Sequence, residues 1–169
     1  MFDKFGEFDS VEELNKAAEG FKAEGDTKSL FALAEENGID KEDCEDYIAG
    51  DVEELATQAM ATMGRLEVER RENLKDKDIN KKMIRMTIWQ FVSAMAAEPD
   101  MQTAIMKKGK RIEGIYKAFE DGARKHQSGN CGVSCGTDRE LQEIIRAYYV
   151  DGNLEKKIEE LYKKKMLEV

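Results

Sequence analysis

Helix start and stop signals recur along the whole chain, and no strand-like alternation separates them. Ser10-Val-Glu-Glu13 and Thr137-Asp-Arg-Glu140 are capping boxes, in which a hydroxyl accepts the backbone amide of the residue three positions later. Gly38, Gly50 and Gly152 lie where helical apolar spacing ends. The sequence holds one proline and many strong helix formers. We therefore expect an all-α, compact multi-helix protein of seven to nine helices, with at most a short strand pair near its Cys-containing loop.

The predicted helices follow these signals in chain order. The expected ranges are about 10–24, 27–37, 41–49, 51–74, 78–98, 99–108 and 110–125, then one helix from Thr137 past Tyr149 and a last one after Asn153. Asp40 is the expected cap of the third helix. The helix after Asp78 is predicted to be the central core helix, because it has the most apolar face: Ile79, Met83, Met86, Ile88, Trp89, Val92 and Met95.

Charge divides the chain into two regions that are expected to share one core. Residues 1–74 hold 8 Lys or Arg against 21 Asp or Glu, whereas residues 75–169 hold 19 basic against 15 acidic residues. The acidic region should repel nucleic-acid phosphates, so direct nucleic-acid binding there is disfavoured. An acidic helical surface suits a basic protein partner instead; a merely solubilising surface is the alternative.

Nothing in the sequence points to a membrane or to export. The N-terminus is charged from its third residue, and no apolar run reaches the roughly 18 residues that a membrane span needs. We expect a soluble intracellular protein, in which three cysteines are not a disulfide framework.

A helix-turn-helix pattern lies in the acidic region. Ala34, Gly38, Ile39 and Ile48 occupy its expected positions. However, the helix that would read DNA carries carboxylates rather than the Arg, Lys, Asn or Gln that contact bases and phosphates. The alternatives are an ordinary helical hairpin or an acidic helix offered to a protein partner.

The stretch His126-Gln-Ser-Gly-Asn-Cys131-Gly-Val-Ser-Cys135-Gly is a candidate zinc loop. Its imidazole and two thiols are three of the roughly four ligands that structural zinc takes, and the small residues between them permit a tight turn. Cys44 is the only other thiol and would complete a Cys3His set, although its helical position also suits the core. An Asp, a Glu or a water is the alternative fourth ligand, and two reduced loop cysteines with a surface histidine are the alternative to any metal.

No constellation for catalysis accompanies this loop. The chain has a single histidine, no zinc-protease motif, no phosphate-binding glycine loop and no Ser-His-Asp set. A Cys–His pair is conceivable, but we expect a protein that is not an enzyme. Basic clusters at Lys107, Lys108, Lys110 and Arg111, and at residues 163–165, suit either an acidic partner or solvated helix ends.

The segment from Met106 to Glu155 resembles the PcfK-like family of mobile-element proteins. The resemblance rests on Gly129-Asn130-Cys131, the acidic turn at Asp138 and Glu140, and Tyr148-Tyr149 followed by Asp151, and it covers under a third of the chain. Cys135 departs from that pattern, so the zinc expectation depends on the residues of this chain alone.

The N-terminal segments Phe2–Phe8 and "ENGIDKEDCEDYI" look like small proteins of phages and conjugative elements, some of which are type II anti-CRISPR proteins. The resemblance implies an inhibitor of a Cas9-type RNA-guided nuclease, working in the cytoplasm of a bacterial host. Its acidic surface would bind the nuclease and block nucleic-acid loading. That surface is expected at seven residues: Asp40, Glu42, Asp43, Glu45, Asp46, Glu53 and Glu54. The rival hypothesis is a helix-turn-helix regulator of a mobile element that binds DNA through its basic C-terminal half.

Overall fold

The chain is all-α in the computed structural model, which describes residues 2–126 and 136–167. Within these residues there are nine α-helices, one π-helical turn and no strand, so the predicted fold class is confirmed. The helices are α1 (Val11–Ala23), α2 (Thr27–Glu36), α3 (Lys41–Ala49), α4 (Gln58–Leu74), α5 (Ile79–Met95), α6 (Pro99–Met106), α7 (Ile112–Lys125), α8 (Asp138–Arg146) and α9 (Leu154–Leu167). The strand pair expected near the cysteine loop falls on residues outside the described ranges.

The helices belong to two compact units. The first comprises Met1–Lys75 and Ala96–Lys110, and the second comprises Asp76–Met95 and Arg111–Val169. In the first unit α1, α2 and α3 pack side by side, and α6 packs along α4. Leu14, Leu30, Leu33, Cys44 and Leu55 are completely or almost completely buried in its apolar core.

Side-chain caps fix the starts of five helices. Ser10 Oγ accepts the amide of Glu13, Asp26 Oδ1 that of Ser29, Thr57 Oγ1 that of Met60 and Asp78 Oδ1 that of Lys81. At α8 the capping box is complete, because Thr137 Oγ1 accepts the Glu140 amide while Glu140 Oε2 accepts the Thr137 amide. Both capping boxes predicted from the sequence therefore begin helices.

The fourth helix begins seven residues later than predicted, at Gln58 rather than Asp51. Residues 51–57 form a non-helical loop whose backbone is held by Asn15. The Asn15 amide donates to the Ala56 carbonyl at 2.9 Å, and its Oδ1 accepts the Ala56 amide at 3.1 Å. Because Asn15 lies on another helix, local helix propensity in residues 51–57 is overridden by a contact distant in sequence.

Helix α5 begins directly after Asp78, as predicted, but ends three residues early, at Met95 rather than about Glu98, and part of its predicted apolar face is wrong. Ile88 and Val92 are buried in the second unit, whereas Ile79 is 69% exposed and Met83 is 63% exposed. Arg85 accounts for part of this arrangement, since it faces α7 and pairs with Glu113. The first turns of α5 thus direct charges towards the neighbouring helix and apolar side chains towards solvent.

The rest of the second unit forms around α7, which packs against α5 and α9. Helix α8 continues directly into a π-helical turn, Ala147–Asp151, which is followed by Gly152 in the left-handed backbone conformation. The Tyr148 hydroxyl accepts the Arg111 amide at the start of α7. No helix among the described residues is both long enough and apolar enough to cross a bilayer.

Candidate partner-binding surface

Helix α3 divides its residues cleanly between core and solvent. Cys44 and Tyr47 are buried in the first unit's core, while Glu42, Glu45 and Asp46 are exposed on the opposite side. The N-cap residue Asp40 is also exposed, and its carboxylate makes no capping hydrogen bond. The expectation that Asp40 caps α3 is therefore correct in position only, and its charge remains available at the surface.

The loop after α3 extends the same acidic surface. Glu53 and Glu54 are exposed, and Asp51 between them and the helix is exposed as well. Leu55 and Ala56, directly following, are 1% exposed and anchor the loop in the core. We call the exposed carboxylates of residues 40–54 the acidic surface; it holds the seven predicted residues, of which Asp43 is half-buried, together with Asp51.

The acidic surface is almost uncompensated. Residues 40–54 contain eight Asp or Glu and one lysine. That lysine, Lys41, pairs with Glu45 one helical turn later. Within the described residues the other seven carboxylates make no ion pair. This differs from the second unit, where most carboxylates lie against a lysine or arginine.

The backbone beneath the surface is closely packed. Gly38 has a φ of +69°, and a Cβ built on it would lie 2.4 Å from the carbonyl oxygen of Gly64 in α4. At the other end of α3, the Lys22 ammonium donates to the Tyr47 carbonyl and lies 4.2 Å from the centre of the Tyr47 ring. The two ends of α3 are thus tied to α4 and α1, so the acidic side chains project from a fixed backbone.

A shallow groove adjoins the acidic surface at the start of α3. It has a volume of about 460 Å³ and is lined partly by Phe31, Ile39, Asp40, Lys41 and Arg71. Its apolar walls would accept one apolar side chain of a partner beside the carboxylates. Sequence reasoning missed this groove, because Arg71 is brought to it by the packing of α4.

The helix-turn-helix positions take part in packing. Ala34 and Ile39 are buried, Gly38 makes the left-handed turn, and Ile48 is partly buried against the core. The exposed face of the second helix, where base contacts would be made, is the acidic surface itself. Like charge repels the phosphate backbone, so this face is unsuited to DNA.

The four predicted zinc ligands have different surroundings. Cys44 is completely buried among apolar side chains of the first unit, and this burial raises the pKa of its thiol. The His126 ring stacks on Tyr162 with centroids 4.4 Å apart, and its Nε2 lies 3.7 Å from Glu159 Oε1. Cys131 and Cys135 lie outside the described residues. In the part of the chain that the structure describes, no three His, Cys, Asp or Glu side chains are grouped to hold a metal ion.

Basic side chains of the second unit are largely paired with carboxylates. Lys164 lies 2.9 Å from Glu140, and Lys157 lies 3.4 Å from Glu143. Lys125 pairs with Glu159. These pairs draw the positive charge into local networks rather than leaving a continuous patch for phosphates.

Comparison of the chain with protein-family models, with curated protein sequences and with solved structures found no match.

Proposed function

We propose that this chain is a protein-binding inhibitor of a Cas9-type RNA-guided nuclease, encoded by a phage or mobile element. In this proposal the acidic surface docks on a basic, nucleic-acid-binding face of the nuclease and blocks nucleic-acid loading. The observation that carries it is the concentration of eight carboxylates and one lysine in residues 40–54, on a fixed helix and loop; seven of the carboxylates are exposed and Asp43 is half-buried. The choice of nuclease comes from the resemblance of the sequence to mobile-element proteins.

Electrostatics favours a basic protein as the partner. A nuclease that holds a guide–target heteroduplex lines its channel with positive charge. Uncompensated carboxylates on a rigid element are attracted to such a channel over several ångströms and speed encounter, an effect that salt weakens. The groove beside Phe31 and Ile39 supplies the apolar contact that charge alone does not, since the energy of protein interfaces is concentrated in a few well-packed side chains.

The mechanism proposed for this surface is steric and electrostatic, and the protein acts without catalysis. The carboxylates occupy positions on the nuclease that phosphates otherwise fill. Inhibition should therefore be stoichiometric, and guide RNA or target DNA loaded first should compete with it.

A charge-reversal experiment with a matched control tests the proposal. In the test variant Glu42, Glu45 and Asp46 are changed to Lys; in the control variant the exposed carboxylates Glu12, Glu19 and Glu24 on or beside α1 are changed to Lys. Both variants change the net charge equally, and helical circular dichroism verifies that both fold. Binding to a purified Cas9-type nuclease and inhibition of its DNA cleavage are measured for each.

We expect the α3 variant to lose binding and inhibition and the α1 control to keep most of both. Equal loss in the two variants would mean that only net charge matters, and unchanged inhibition by the α3 variant would exclude the acidic surface as the contact. Salt-sensitive retardation of random duplex DNA by the isolated protein would instead support the DNA-binding regulator.

We also propose a structural zinc ion held by His126, Cys131 and Cys135. The position of Glu159 beside His126 supports a carboxylate as fourth ligand, whereas the burial of Cys44 argues against that thiol. Metal content by plasma mass spectrometry, on wild type and on Cys131→Ser/Cys135→Ser, decides this point. About one zinc per chain, lost in the variant, is the expected result for a structural site; wild-type protein without metal would overturn it.

A further inference from the structure

The outward face of α5 is apolar although the helix lies at the surface of the second unit. Ile79 is 69% exposed, Met83 63% and Ile84 42%. Among the described residues, six large apolar side chains are at least 42% exposed, and three of them lie within residues 79–84 of α5. An exposed apolar cluster of this kind on a soluble helix usually marks an interaction site.

The charges of the same helix turns face inward. The Arg85 guanidinium lies 3.1 Å from Asp76 and also pairs with Glu113 of α7. Both Arg85 and Lys81 lie over the ring of Tyr116, at 5.1 and 5.4 Å from its centre. These contacts fix the rotation of α5, so Ile79 and Met83 cannot turn towards the core without breaking them.

The outward residues of α5 form one stripe along the helix, which we call the seam. Ile79, Met83, Met86 and Gln90 follow one another in steps of four, three and four residues and so lie on the same side of the helix; Ile79, Met83 and Gln90 are exposed and Met86 is half-buried. Ala94 continues the seam near the end of the helix and is exposed. From Ile79 to Ala94 the seam is about 24 Å long, which is enough for one helix to lie along another.

The distribution of charge on α5 favours a second copy of the same helix as its partner. The only charged residues of α5 are Lys81, Lys82 and Arg85, all in its first half, and none lies on the seam; the second half carries no charge. A strongly charged partner would find no counter-charge on the seam. A second copy of α5 running antiparallel fits, because the basic half of each helix then lies beside the uncharged half of the other. A parallel pair would bring like charges together.

We propose that two copies of this chain associate through α5, in an antiparallel, two-fold symmetric helix pair centred near Met86. Met83 of each copy then lies opposite Gln90 of the other. Two seams of this length bury on the order of 1,000 Å² in total, at the lower edge of specific protein interfaces, so a dimer of micromolar affinity is expected.

Sedimentation equilibrium over low to high micromolar concentrations tests this proposal on the full chain. Wild-type protein should dimerise, and Met83→Glu, which places two buried carboxylates in the pair, should weaken association at least about 30-fold. The matched control is Met63→Glu on α4, at a methionine that is 44% exposed but lies outside the seam. It should dimerise as wild type does, and the melting temperatures of both variants show whether they fold.

A charge-pair variant tests the antiparallel register. Gln90→Lys added to Met83→Glu should restore association, because residues 83 and 90 oppose each other twice in the proposed pair. A monomeric wild type throughout the concentration range, or a dimer that Met83→Glu leaves intact, overturns the proposal. Failure of Gln90→Lys to restore a dimer that Met83→Glu has disrupted overturns the antiparallel arrangement.

Discussion

Gly38 and Gly64 stand against each other with no room for a Cβ on either. A Cβ on Gly38 would lie 2.4 Å from the Gly64 carbonyl oxygen, and one on Gly64 would lie 2.3 Å from the Asn37 carbonyl oxygen. Both obstructing atoms belong to backbone, which moves only if α4 and the turn before α3 separate. The position of the acidic surface relative to the first unit's core therefore depends on two glycines.

Gly64→Ala should destabilise the first unit by at least about 2 kcal/mol, because the methyl group forces α4 away from the α2–α3 turn. The matched control is Gly20→Ala in the last turn of α1, where a Cβ meets nothing within 4 Å. That change should stabilise the protein by about 0.5–1 kcal/mol, since alanine favours a helix interior. Urea unfolding measures both. Similar effects of the two substitutions would contradict the close contact.

Arg65 of α4 ties three parts of the first unit together and is 3% exposed. Its guanidinium donates to the carbonyls of Phe8, Met106 and Lys107 and pairs with Glu7 at 3.1 Å. Arg65→Ala should lower the free energy of unfolding by about 3–5 kcal/mol. The substitution leaves the mostly buried carboxylate of Glu7 without its cation and removes the donors to three carbonyls.

A control for Arg65 lies six residues further along the same helix. Arg71 is half-exposed and pairs only loosely with Glu67, at 3.5 Å. Arg71→Ala should change stability by no more than about 0.5 kcal/mol. If denaturant unfolding shows equal costs for the two arginines, Arg65 does not join the N-terminal segment to α6.

The sequence predicts helix existence well because its signals are local. The caps at Ser10 and Thr137 and the stop at Gly50 each involve residues within one turn, and all are present in the structure. The start of α4 was predicted wrongly because Asn15, about forty residues away, holds the Ala56 backbone in a loop. No local pattern contains that contact.

The same difference between local signals and contacts distant in sequence applies to the two candidate interaction surfaces. That the carboxylates of α3 are exposed follows from their spacing around buried Cys44 and Tyr47, so periodicity suffices to predict it. The outward apolar face of α5 does not follow from periodicity, because it depends on Glu113 and Tyr116 of another helix, which draw Lys81 and Arg85 inward. Apolar spacing alone predicts that α5 has apolar residues on one face, but it does not predict whether that face lies against the core or towards solvent.

The buried Cys44 predicts a loss of stability at alkaline pH. Burial raises the pKa of its thiol, so the unfolded chain releases this proton at a lower pH than the folded one. The unfolded state therefore binds fewer protons than the folded state as the pH approaches and passes about 8.5, the ordinary pKa of a free thiol, and the free energy of unfolding falls as pH rises. Burial likewise raises the pKa of Tyr47 and extends the fall to higher pH.

Cys44→Ala should be less stable than wild type near neutral pH, and the difference should shrink as the pH is raised. On a Cys131→Ser/Cys135→Ser background, Cys44 is the one remaining thiol and should resist a thiol reagent until urea unfolds the chain. Rapid labelling of the folded protein would show that the sulfur is accessible, and a constant difference between pH 7 and pH 10 would contradict the raised pKa.

A substitution at Asp46 separates partner binding from stability, because the two are expected to change in opposite directions. Glu42 and Asp43 lie in the first turn of α3, where the helix dipole favours negative charge, but Asp46 lies in the last turn and one turn after Glu42. Asp46→Lys should therefore stabilise the protein by about 0.5–1 kcal/mol through the helix dipole and the new pairing with Glu42. Under the proposed function, the same substitution weakens nuclease binding. Thermal unfolding and a binding titration on one preparation measure the two effects, and a variant that gains stability without losing affinity would show that Asp46 is not part of the contact.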